Sequence, residues 1–181
     1  FAGLMQLVNT NAYSFLSINT GERQVVKLEQ DLYLNSDELP TQNVWTPVGM
    51  GNMIGFEGIL DGQGHTIHNL YLNDANPYVE YQGLIGWLNK EGEVRNLTVN
   101  GTVVSGGNVS RAILVGYNRG AVKNCTVKGS LVNTTAKSTT AGVVGYNEGT
   151  IESCINYASV TSNGQMLGGI AGYTKENTTI L

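Results

Sequence analysis

The chain has 181 residues, 24 of them glycine, with 13% charged residues and a net charge of −4. An average domain carries about 7% glycine and about 25% charged residues, so this is a turn-rich chain of single-domain size rather than a helix-rich one. No run of Lys or Arg can neutralise a series of phosphates, which argues against nucleic acid and anionic membrane as partners. No apolar run approaches the ~20 residues of a membrane-crossing helix.

In chain order, "FAGLMQLVN" (1–9) places Leu4, Leu7 and Val8 at helical spacing and is expected to form a short N-terminal capping helix. "VVKLEQDLYL" (25–34) alternates like a strand. "LDGQGHTIHNLYLN" (60–73) reads as a divergent first copy of a motif repeated in 83–103, 113–131, 143–160 and 169–181. The glycines Gly86, Gly116, Gly145 and Gly172 mark those later copies at spacings of 30, 29 and 27 residues. Short β-rich runs with one residue type at each phase mean equivalent strands lying over one another, so the expected fold is an all-β parallel β-helix, a β-solenoid of ~27–30-residue coils. Residues 1–44 supply the cap and lead-in strands, and 45–181 the repeats, of one module (1–181) expected to be a piece of a larger protein that continues into further domains.

The phases define columns. Ile67, Val94, Val122 and Ile151 make one apolar column; Leu70, Leu97, Cys125 and Cys154 a second; Val103, Leu131 and Val160 a third. Asn69, Asn96 and Asn124, followed by Ser153, are expected to stack as a polar ladder. Asn118 and Asn147, in Y-N-x-G, suit a left-handed or tight turn, with Gly120 and Gly149 supplying backbone freedom. Arg119 and Glu148 are free to vary because they face water. Segments 104–112, 132–141 and 161–167 are loops that fall on one side of the stack.

"WTPVGMGNMIGFEGILDGQGHTIHNLYL" (45–72), then "GLIG" (83–86) and the pattern G-x-V-x-N-[LC]-x-V-x-G, resembles the GLUG-motif proteins, over nearly the whole chain. That resemblance implies a right-handed parallel β-helix in bacterial secreted or cell-wall-attached proteins, including adhesins and non-catalytic regions of immunoglobulin-A-cleaving metallopeptidases. "ILVG" (113–116) lacks the first glycine of the motif, while "GIAG" (169–172) keeps it.

Several residues invite a chemical reading. His65 and His68 are the only histidines, lack the Glu of a zinc-binding H-E-x-x-H helix, and by strand alternation sit on opposite faces, so no metal and no cofactor is expected. Asp61 sits in a stretch similar to the coils of polysaccharide-cleaving β-helices. Glycosidic cleavage requires a gathered set of carboxylates, and Glu57, Asp74 and Glu80 share no phase with Asp61, which instead fits a turn. Trp87, Tyr117, Tyr146 and Tyr173 form an aromatic column, either stacking on sugars or a partner, or shielding the turns beneath. Cys125 and Cys154 occupy one inward column and are expected as free thiols, with a bridge between them left open. The expected function is a non-enzymatic, extracellular spacer or adhesive surface meeting a host protein or glycan. The alternative is a carbohydrate-binding or carbohydrate-cleaving module.

Overall fold

The computed structural model describes residues 23–49, 55–73, 80–107, 110–176 and 178–181. The capping helix expected over 1–9 lies outside these residues. The described chain is all-β, and every paired ladder is parallel, so the β-solenoid expected from the repeats is the observed fold.

The chain visits four sheets in a fixed cycle. The first sheet holds Val25–Lys27, Ile59–Asp61, Glu93–Arg95, Ala121–Lys123, Thr150–Glu152 and Thr179–Ile180. The second holds Leu32–Tyr33, the eight-residue strands Thr66–Asn73, Thr98–Ser105 and Thr126–Asn133, and then Ile155–Asn156 and Ser159–Ser162. The third holds Tyr81–Gln82, Ser110–Arg111, Thr139–Ala141 and Met166–Gly168, and the fourth Ile85–Leu88, Val115–Asn118, Val144–Asn147 and Ala171–Thr174. The loops within 104–112, 132–141 and 161–167 all join the second sheet to the third, on one corner of the stack as the repeat pattern implied.

Side chains alternate in and out along each strand, and the inward ones meet their own counterparts one rung away. Leu60, Val94, Val122 and Ile151 form a continuous buried column, and Leu72, Val103 and Leu131 another, which the half-buried Val160 extends. Each such side chain is worth roughly 1.5–3 kcal/mol when fully withdrawn from water, so the core is a sum of like-on-like contacts along the axis.

Two column assignments are corrected. Leu60, not Ile67, lies over Val94; Ile67 lies over Val99, and Leu70 over Gly101 rather than in the Leu97 column. The reason is the corner between the first two sheets. Four residues separate Asp61 from Thr66, whereas two separate Arg95 from Thr98. Gln63 and Gly64 take positive φ (51° and 86°) to accommodate the longer corner, and the I-x-N-L letters are carried into the next strand. The register then shifts between Ile67 and Leu70, where Asn69 (φ 56°) forms a bulge.

The turn assignment of Asn118 and Asn147 is also corrected. Both end extended strands and are fully buried, with the Asn118 Nδ2 donating to Asn147 Oδ1 at 2.7 Å. Left-handed backbone occurs instead at Asn96, Asn124 and Ser153 (φ 52°, 50° and 51°), at the corner between the first and second sheets. Asparagine tolerates this region better than other side-chain-bearing residues, which accounts for its recurrence there. Gly120 and Gly149 are required for a different reason from the one read in the sequence. A Cβ on Gly120 would collide with the Gly92 carbonyl oxygen, and one on Gly149 with that of Gly120, so these glycines allow adjacent coils to approach.

Gly120→Ala is therefore expected to cost about 3 kcal/mol, the upper end for an overpacked site, because the obstacle is backbone that cannot turn aside. Gly64→Ala, whose Cβ would have nothing within 4 Å, should lose only about 1–2 kcal/mol from its positive φ. Urea unfolding of the two variants measures the difference, and equal losses would contradict the close-approach explanation.

Candidate functional site

The fourth sheet carries the aromatic column in register: Trp87 pairs with Tyr117, Tyr117 with Tyr146, and Tyr146 with Tyr173. Successive ring centroids are 4.1, 4.9 and 4.6 Å apart, with interplanar angles of 9°, 6° and 35°. The ring faces are thus spent on one another, and the column offers a ligand only edges and hydroxyls until Tyr173, which is 36% exposed. Tyr81, from the third sheet, lies 4.9 Å from both Trp87 and Tyr117 at 76° and 67°. Burial, followed by the hydrogen bond to Glu148, pushes the Tyr117 hydroxyl well above the usual tyrosine range.

Arg119 and Glu148 prove to be partners rather than independent surface positions. Glu148 lies 3.7 Å from Arg119 Nε and 3.0 Å from Lys175 Nζ, one rung to each side. Its partial burial acts to raise its pKa, yet Lys175 and the Tyr117 hydroxyl hold the carboxyl below the usual range.

Asp61 is enclosed by donors. Its Oδ1 accepts from the Gln63 N–H at 3.0 Å and Asn96 Nδ2 at 3.1 Å, and its Oδ2 pairs with Arg95 Nε at 2.9 Å. Desolvation works to raise its pKa. The Gln63 N–H, the Asn96 amide and the Arg95 guanidinium outweigh that and hold it below the usual value. This is the turn role read from the sequence, with a guanidinium added. Glu57 lies elsewhere, accepting from Asn89 Nδ2, and Asp74 is outside the described residues.

The two histidines are not on opposite faces as strand alternation suggested. His65 Nδ1 lies 3.2 Å from Asp31 Oδ1 and His68 Nε2 3.2 Å from Asp31 Oδ2. His65 precedes the strand proper, so the long corner frees it from strand alternation, and Tyr33 stacks on His68 at 4.4 Å. The Thr66 N–H, then His68, hold Asp31 below the usual carboxylate range. Among the described residues, no group of three His, Cys, Asp or Glu is placed to hold a metal ion.

The asparagine ladder is shorter than expected. Asn124 Nδ2 reaches Asn96 Oδ1 at 3.4 Å, but Asn69 belongs to the bulge and donates instead to the Asn35 carbonyl and Asp37. Cys125 and Cys154 are free and adjacent in one inward column. Both thiols take the same pose, Cys125 Sγ 3.2 Å from the Lys123 carbonyl and Cys154 Sγ 3.3 Å from that of Glu152. The neighbouring Cys154 thiol, then burial, pushes Cys125 well above the thiol range, and Cys154 is the less buried of the two.

Sequence reasoning passed over Glu93, Asp31 and Tyr81. Glu93 is buried, 2.9 Å from Arg95 Nη1 and 3.6 Å from Lys123 Nζ. Its signal was its position two residues before Arg95 on one strand, which puts both on the outward face. Asp31 and Tyr81 lie outside the repeating phases, and nothing local marked them.

A 164-residue stretch, 88% of this chain, is 34% identical to a protein named as a Gly-rich membrane protein from Evansella cellulosilytica, covering 18% of that relative. An 89-residue stretch, 47% of the chain, is 42% identical to the halomucin of Haloquadratum walsbyi, covering 1% of it. The chain is thus similar to small parts of much longer proteins. No family model and no solved structure matches it.

Two outcomes follow from the site geometry. Asp61 has a folded pKa below its unfolded one, so its contribution is present above the unfolded value near 3.9 and is lost as pH falls through the folded value. Wild type should lose stability on acidification in that window, and Asp61→Asn, already weaker by roughly 1–3 kcal/mol at neutral pH, should lose less there. Denaturant midpoints across pH 2–6, a window of roughly that span around the carboxylate range, measure both. Separately, iodoacetamide at neutral pH should label Cys154 before Cys125, with Cys125 reacting only on unfolding; peptide mapping by mass spectrometry reads the order.

Proposed function

We propose that this chain is a non-enzymatic, extracellular β-solenoid module that serves as a rigid, side-chain-displaying segment of a larger bacterial surface protein of the GLUG-motif kind. The observation that carries this reading is the parallel pairing of coil upon coil, unbroken in the first sheet from Val25–Lys27 to Thr179–Ile180. A body built this way is stiff along its axis, because bending it would open whole rows of inter-coil hydrogen bonds. The names of the relatives, a halomucin and a Gly-rich membrane protein, fit a surface location, and their much greater lengths fit a module among others. Asp61, the residue nearest to a catalytic reading, has its oxygens committed to a backbone N–H, an amide and a guanidinium, an arrangement that fixes a corner and keeps the carboxylate ionised. A general acid at that position would need the opposite shift.

Incubation of the chain with plant and bacterial polysaccharides, followed by assay for new reducing ends, should show none above buffer. Hydrolysis that disappears in Asp61→Asn would overturn the non-enzymatic reading.

A further inference from the structure

The outward column of the third sheet breaks the like-on-like rule that governs its neighbours. Tyr81 pairs with Ser110, the Ser110 rung meets Thr139, and Thr139 pairs with Met166. Four different side chains stand over one another beside a fourth-sheet column that is aromatic at every rung. Along the third-sheet column runs an open groove of about 670 Å³ whose lining includes Glu80, Tyr81, Ser110, Lys137 and Thr139, with Tyr146 from the aromatic column. Lys137, Ser138 and Gln165 come from the loops joining the second and third sheets, so the groove lies on the corner where all those loops gather. From Tyr81 to Met166 it spans three rungs, about 14 Å at about 4.8 Å per rung.

We infer that this groove is a binding site for a short, uncharged oligosaccharide lying along the solenoid axis. This rests on the surface-module reading and names its ligand class. The first support is Tyr81. A ring equidistant from two stacked rings and steeply inclined to both has its plane along the axis of the stack, and Tyr81 lines the groove, to which it can present a face. Such a face runs parallel to the axis and is suited to the apolar face of a sugar, which the mutually stacked rings of the column are not.

The second support is the hydroxyl pair. Thr139 Oγ1 donates to Ser110 Oγ at 2.6 Å, leaving the Ser110 hydroxyl hydrogen to donate outward and lone pairs to accept. Glu80 and Lys137 add an acceptor and a donor at the rim, with opposite charges that favour neither a cationic nor an anionic chain. A peptide is a poorer fit. Ser110–Arg111 and Thr139–Ala141 are paired on both sides, so strand addition is open only at the two ends of this sheet and not along the groove.

Titration of the 181-residue chain with maltotriose, cellotriose and tri-N-acetylchitotriose, followed by amide chemical-shift changes, tests the site. Saturable binding of at least one at millimolar or lower concentration is expected. Tyr81→Ala and Thr139→Val should each weaken it roughly tenfold, while Tyr81→Phe should retain most of it. Tyr173→Ala, which removes the ring stacked on Tyr146 but no lining residue, should weaken it far less than Tyr81→Ala does, with circular dichroism confirming the fold of each variant. No saturable binding of any trisaccharide, or binding insensitive to Tyr81→Ala and Thr139→Val, overturns the proposal. Equal weakening by Tyr173→Ala would place the ligand on the aromatic column and overturn it too, as would capture of peptides in place of sugars. None of these results touches the rigid-module reading, which rests on stacking and not on the groove.

Discussion

Parallel hydrogen bonding between successive coils dictates what each residue must sit upon. Once Val122 pairs with Val94 above and Ile151 below, the side chain at that phase has its own counterparts as neighbours, and only residues compatible with themselves persist. Aliphatic chains, aromatic rings and amides satisfy that condition. Charges do not, and the outward column of the first sheet shows how they are accommodated. Lys27, Asp61, Arg95, Lys123 and Glu152 follow one another by register, alternating in sign except where Arg95 meets Lys123. At that like-charge step Glu93 bonds both cations, reaching Arg95 with one oxygen and Lys123 with the other. The buried carboxylate and the local sign violation explain one another.

The same constraint explains what could be read from the letters alone. Repetition at the phases of Val94, Trp87 and Val103 is forced by stacking, so those columns were legible without coordinates. Ile67 was misplaced because its surrounding letters imitate the Val94 motif, while the corner before it is longer than in later coils. Corner length is set by Gln63 and Gly64 adopting left-handed backbone, a feature that pattern matching on apolar phases does not detect. Asn118 and Asn147 were misread because Asn-x-Gly is a strong turn signal. Parity gave the correct answer: Tyr117 and Tyr146 point outward, so the next residue points inward. There the Asn118 amide nitrogen bonds across the coils to Asn147 Oδ1, the Asn147 amide nitrogen closes on the Gly149 carbonyl of its own coil, and Asn118 Oδ1 is left buried without a partner.

A second buried polar corner, where the second sheet meets the third, is less regular. Asn133 reaches Ser138 Oγ at 2.6 Å and Ser162 Oγ at 2.8 Å with its amide nitrogen, and its oxygen accepts from the fully buried Arg111 and from the Thr135 N–H at 3.1 Å. The loops that leave this corner differ in length and composition between coils, so their anchoring falls to side chains. A stack whose loops were held only by backbone ladders would need identical loops in every coil. Tying them through one asparagine and a few hydroxyls lets the loops vary while the rungs stay in register.

That division bears on where binding can evolve in such a molecule. A column required by stacking, such as Trp87 to Tyr173, turns its chemistry toward itself and has little left for a ligand. Positions freed from self-matching are found where loops of unequal length meet the sheet, and there Tyr81, Ser110, Thr139 and Met166 replace one another rung by rung. Heterogeneity along this column gives up the ring-on-ring stacking that the neighbouring aromatic column gains at each rung. A solenoid under no other demand would repeat a favourable residue there, as it does one column away. The mismatched column beside the groove is therefore the part of the surface that stability alone does not explain.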